Sequence, residues 1–171
     1  MKRLIIPLVV FALAAVAVVA FVVDGHTESG TPSERLASWV SSTGVGQQIG
    51  TIRGEAADVV KAAREHKSLT VFHTICAAME EDSQTYNDSL PSPDIAVTDD
   101  LAKAYSDSYD AAEACYRSGD TDKKLLAQSE ADSANADQLF EAALTRIAEA
   151  TGKRVSTTTT TALATTTTTF F

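Results

Sequence analysis

The segment Leu69–Tyr116, LTVFHTICAAMEEDSQTYNDSLPSPDIAVTDDLAKAYSDSYDAAEACY, decides how the chain folds. Its first half places Leu69, Phe72, Ile75, Cys76, Met79 and Tyr86 at steps of three and four, the spacing of one buried helix face. Leu90-Pro91-Ser92-Pro93-Asp94 then stops any helix, because two prolines remove two backbone donors and restrict the residues before them. A second stripe follows in Leu101, Ala104, Tyr105, Ala112, Cys115 and Tyr116, with Thr98 or Asp99 as its expected N-cap. Two amphipathic helices joined by a tight break read as an antiparallel pair, each member carrying one of the chain's two cysteines.

The same period extends outward on both sides. Leu36, Trp39 and Val40 predict a short first helix with Ser33 as N-cap and Gly44 and Gly46 at its end. Ile49, Ile52, Ala56, Val59, Val60 and Ala63 form the next stripe, interrupted by Glu65-His66-Lys67-Ser68, with Ser68 free to cap the helix beyond. The alternative is one continuous helix over 47–88. After the turn Ser118-Gly119-Asp120-Thr121, also read as a new cap, the last stripe runs through Leu125, Ala136, Leu139, Phe140, Ala143, Leu144, Ile147 and Ala150. Gly152 is its expected stop, with Lys153 and Arg154 at the negative end of the helix dipole. No run of alternating β-branched residues predicts a sheet. The expected fold is all-α: an up-down bundle of about four helices over 34–153.

The flanks differ in kind. Lys2 and Arg3 precede twenty residues, Leu4–Val23, with no polar side chain, long enough to span a bilayer as a helix. Basic residues before this run and Asp24 and Glu28 after it place the N-terminus in the cytoplasm and the rest outside. Residues 1–23 are therefore expected to be a signal anchor or a signal peptide. Val18-Val19-Ala20 supplies only a mediocre cleavage site, so anchored and secreted forms both stay open. The run holds no cysteine for a lipid anchor. Residues 24–33 read as a polar linker. Residues 154–171 read as a low-complexity tail, with threonine runs at 157–161 and 165–169 that suit either a bare extended tail or a stalk bearing O-linked sugar.

Composition narrows the function classes. The chain of 171 residues carries 14 basic against 23 acidic side chains, a net charge of −9, so no nucleic-acid partner is expected. In an oxidising compartment, Cys76 and Cys115 on facing apolar stripes are expected to form a disulfide. A bridge across 39 positions contributes about 4 kcal/mol in the chain-entropy model. Two separate buried thiols, or a metal-bound or catalytic cysteine, are the alternatives.

Other constellations are weak. His66, His73 and Cys76 share a spacing that suits metal ligation, but Ser68 restarts the helix between them and no fourth ligand is implied. No Glu has a His three residues on, which removes a di-iron bundle, and no phosphate, dinucleotide or hydrolase fingerprint occurs. No cofactor or metal is expected, and no enzyme. Twelve acids crowd residues 80–122 (Glu80, Glu81, Asp82, Asp88, Asp94, Asp99, Asp100, Asp107, Asp110, Glu113, Asp120 and Asp122) beside only Lys103 and Arg117. They read as a solvated face with helix caps or, in the alternative, as a cation-binding surface. Gly46, Gly50 and Gly54 suggest a helix start packed close to another backbone. Asn87-Asp88-Ser89 matches a glycosylation acceptor. Trp39, the sole tryptophan, either plugs one end of the bundle or presents an aromatic to a partner.

Trp39, Ile75-Cys76-Ala77-Ala78-Met79, Leu90-Pro91-Ser92-Pro93-Asp94 and Tyr109 with Ala111-Ala112-Glu113-Ala114-Cys115 resemble small exported actinobacterial helical proteins of unknown function. The resemblance covers about Trp39 to Gly152. It implies a helical bundle with a paired cysteine facing the cell envelope, and it implies no activity. The expected role is a non-enzymatic extracytoplasmic module that binds an envelope partner or is structural. The alternative is a carrier of a small ligand or cation using the acidic middle.

Overall fold

The computed structural model describes residues 30–119 and 121–158. The export segment 1–23, most of the linker, Asp120 and most of the threonine tail lie outside the described residues.

Five helices and no strand occur among the described residues: α1 (Pro32–Thr43), α2 (Val45–Arg64), α3 (Leu69–Asn87), α4 (Ile95–Ser118) and α5 (Lys123–Thr151). The four long helices form an all-α bundle, α5 packing chiefly on α4, α4 on α3 and α3 on α2, while the short α1 lies against α5. Closure between α2 and α5 is slight. No described helix is long and apolar enough to cross a membrane.

Helix ends follow local chemistry, and here the structure corrects several expectations. α1 begins earlier than Ser33 allows. Thr31 is its cap, accepting from the Glu34 amide, while the Glu34 side chain accepts from the Thr31 amide at 2.7 Å, a capping box with Pro32 in the first turn. Gly44 ends α1 in the left-handed region (φ 65°) and directly starts α2. The break after α2 is real, so a continuous helix over 47–88 is excluded. His66 adopts φ 49°; its amide donates to the Ala63 carbonyl and the Lys67 amide to that of Ala62. This is a Schellman ending with a non-glycine residue in the left-handed position. Ser68 caps α3 as expected.

The cap of α4 is Asp94, four residues before Thr98. Asp94 Oδ1 accepts from the Ala96 and Val97 amides at 2.9 and 3.0 Å. Thr98 instead holds the proline turn, accepting from the Ser92 amide at 2.9 Å. The first helical residue, Ile95, is 80% exposed, so the apolar stripe begins only after the helix does. Asp122, one residue past the expected turn, caps α5 through the Lys124 and Leu125 amides, and Gly152 ends it at φ 68°.

The core is divided. Leu36, Ile49, Leu101, Tyr105, Phe140 and Ile147 anchor the largest cluster, at the end built by α1, the start of α2, the first half of α4 and the second half of α5. Val59, Ala62, Phe72, Cys76 and Cys115 form a smaller cluster at the opposite end. Met79, Ala111 and Ala112 lie between them, with Ala56 against them. Beyond α5, Val155 packs on the largest cluster, and Ser156 crosses Gly46 so closely that a Cβ there would collide with the Ser156 carbonyl oxygen.

Candidate functional site

Cys76 and Cys115, both fully buried, are disulfide-bonded with Cα atoms 5.8 Å apart. The stripes on α3 and α4 bring them level, and Phe72, Val59 and Ala62 cover the bridge. The His73 ring stacks on that of Tyr116 with centroids 4.3 Å apart. Among the described residues, no group of three or more His, Cys, Asp or Glu is placed to hold a metal ion.

Trp39 stands between the core and the surface. Half-buried, it packs on the largest core cluster. It also lines a surface cleft of about 460 Å³ with Glu34, Arg35, Ser38, Pro91 and Pro93. The proline turn thus forms one wall of the tryptophan's surroundings.

The acidic middle separates into local duties. Asp94 and Asp122 cap helices. Asp100 pairs with Arg146 at 2.7 Å, Asp107 with Lys103 at 3.2 Å and Glu113 with Arg117 at 3.5 Å. Glu80 stands beside Tyr109 and pushes its phenol pKa up.

Asp82 has a partner that sequence reading missed. It meets Glu55 of α2 across the α2–α3 interface, with Tyr86 and Thr51 beside them. Glu55 Oε2 is buried with no hydrogen-bond partner. Burial first, then the neighbouring Asp82 carboxyl and the charge of Asp58, push the Glu55 carboxyl up to about 8. The one sequence signal was position: Glu55 directly follows the Ile52 turn of the α2 stripe and precedes Ala56.

Between the core clusters a partly open hollow of about 230 Å³ touches all four long helices. Ile52 and Ala56 come from α2, Met79 from α3, Ser108 from α4, and Ser133, Ala136 and Phe140 from α5. Small side chains on α2, α4 and α5 leave this space where larger ones would have joined the clusters. Arg53 closes its mouth, reaching from α2 to Asp137 and Glu141 of α5, both at 2.6 Å. On the outer side of Arg53 lies a larger, more polar hollow of about 590 Å³, bordered by Arg154, Val155 and Thr157.

The described residues form a disulfide-stapled helical bundle with a partly open hollow beside Arg53 and a surface cleft around Trp39. Compared with known proteins, the chain matches no family model, no curated protein and no solved structure.

Proposed function

We propose that the chain is a non-enzymatic, extracytoplasmic helical module of the cell envelope that engages a partner through the cleft around Trp39. The observation that carries the compartment is the buried Cys76–Cys115 bridge, set behind an apolar leader with basic residues at its start. What supports Trp39 as the contact is its partly exposed side chain in a cleft with Pro91 and Pro93, since tryptophan is prominent among strong interface anchors. Fractionation of expressing cells with intact-mass measurement tests the compartment. The expected result is protein in the membrane or medium fraction with no alkylatable thiol. Soluble protein inside the cell with two reduced thiols overturns the reading. Residues 1–23, uncleaved, would anchor the module; cleaved, they would release it.

A second reading, a carrier of a small ligand, is favoured by the hollow between α2 and α5. Its cation-binding form has less support, because the acids that cap helices or sit in ion pairs already have a structural role.

A further inference from the structure

The turns after α2 and α4 lie together at the end of the bundle that holds the Cys76–Cys115 bridge. A Cβ on Gly119 would meet Leu69 Cδ1 at 3.2 Å, and His73 stacks on Tyr116. Charge at this end runs against the rest of the chain. Lys61, Arg64, Lys67, Arg117, Lys123 and Lys124, six of the twelve basic residues that follow Arg3, are exposed here beside Glu65, Glu113, Asp120 and Asp122. Glu65 pairs with Lys67 at 3.0 Å, Glu113 with Arg117 at 3.5 Å, and Asp122 caps α5. Lys61, Arg64, Lys123 and Lys124 make no ion pair among the described residues.

The same end is where apolar side chains face outward. Of the four large hydrophobic residues exposed among the described residues, three are here: Leu69 at 51%, Val71 at 44% and Tyr116 at 46%. Leu69 and Val71 belong to the first turn of α3, and side chains lean toward a helix N-terminus, so both project toward the tip of the bundle. A soluble acidic polymer would use the cations but leave Leu69 and Val71 in water. A bilayer with anionic headgroups takes both, the apolar side chains entering at the headgroup boundary and each nearby Lys or Arg adding to the attraction. Acids at the far end of the chain oppose this little, because salt screens exposed charges beyond about 8 Å.

We propose that this end of the bundle docks on an anionic lipid bilayer, Leu69 and Val71 entering the headgroup region while Lys61, Arg64, Lys123 and Lys124 meet lipid phosphates. The chain enters at the opposite end, where Glu34 and Arg35 of α1 border the proline turn, and α2 alone, 20 residues long, spans about 30 Å between the two ends. The surface is therefore separate from the Trp39 cleft and does not rest on the role proposed for it.

The test uses the full chain with an environment-sensitive fluorophore on Thr70→Cys, an exposed position between the two apolar residues. Any insertion of the apolar run 4–23 is common to all bilayers, so the readout is the difference between vesicles of phosphatidylcholine alone and vesicles of equal parts phosphatidylcholine and phosphatidylglycerol. The expected result is a blue shift on the anionic vesicles only. Lys123→Gln with Lys124→Gln is expected to weaken it about 25-fold, at about fivefold per cation, and Leu69→Ser with Val71→Ser about tenfold. Lys61→Gln with Arg64→Gln replaces the first pair should that variant lose its helical signal. Lys153→Gln with Arg154→Gln, the same charge change beyond α5 at the other end, is expected to leave the shift unchanged. No shift, or an equal shift on both kinds of vesicle, overturns the proposal, as does an equal loss on changing Lys153 and Arg154. Binding untouched by Leu69→Ser with Val71→Ser overturns the lipid in favour of an acidic polymer.

Discussion

Around Tyr105 the bundle closes on twelve buried apolar residues drawn from α1, α2, α4 and α5, whereas around Cys76 it closes on five. Near Tyr105 the residues are large. Its ring meets Phe140 edge-on at 5.4 Å and its hydroxyl donates to Gln48 Oε1 at 3.1 Å. At the other end Leu69 and Tyr116 remain about half exposed, and the break after α2 leaves His66 in the left-handed region. One end has enough apolar area to hold itself together. The other has a covalent link where area is short, the same solution that small domains with thin cores adopt.

The strongest way to break this contrast is to remove the link. Replacing Cys76 and Cys115 together by alanine is expected to cost about 4 kcal/mol by denaturant unfolding, with hydrogen-exchange protection lost first around Phe72 and Val59. Equal loss of protection at Tyr105 would show that the two ends are one cooperative unit. Phe140→Ala attacks the other end and is expected to cost about 3–4 kcal/mol, with the bridge intact and exchange near Cys76 little changed.

A third prediction concerns the interface between these regions. Folded Glu55 holds its proton up to about 8, while in the unfolded chain it releases it near the ordinary value of 4.5. The Glu55 contribution to stability is therefore greatest below pH 4.5, falls as pH rises to about 8, and is level above. With screening at this partly exposed site allowed for, the fall is about 1–2 kcal/mol. Glu55→Gln is expected to flatten the pH profile and to raise the melting temperature at pH 8. An unchanged profile would remove Glu55 as its source. Asp94→Ala, which deletes the α4 cap, is expected to cost about 1 kcal/mol. The smallest effect is a gain: His66→Gly relieves the left-handed backbone after α2 and is expected to stabilise the thin end by about 0.5–1 kcal/mol.

Much of this architecture was legible in residue spacing. Each long helix carried a stripe at steps of three and four, and the breaks at Gly44, Glu65–Ser68, the proline turn and Gly152 lie where the sequence places them. Starts were harder to read than interiors. A stripe announces a helix only at its first buried residue, and exposed Ile95 hid the opening turn of α4. The cysteine pair was legible because the two stripes made the sulfurs face each other across a known break. Glu55 and Asp82 were not, since each alone resembles a rim carboxylate, and their meeting depends on how α2 and α3 rotate against one another. The hollow beside Arg53 was equally hidden. Ala56, Ser108, Ser133 and Ala136 are ordinary helix residues, and only their convergence leaves space.

The bridge also has a topological consequence. Between Cys76 and Cys115 the backbone forms a closed ring that contains the whole Leu90–Asp94 turn. A protease nick anywhere in that turn leaves one covalent molecule rather than two fragments. Pro91 and Pro93 are exposed within it, so a cut at this surface turn releases nothing.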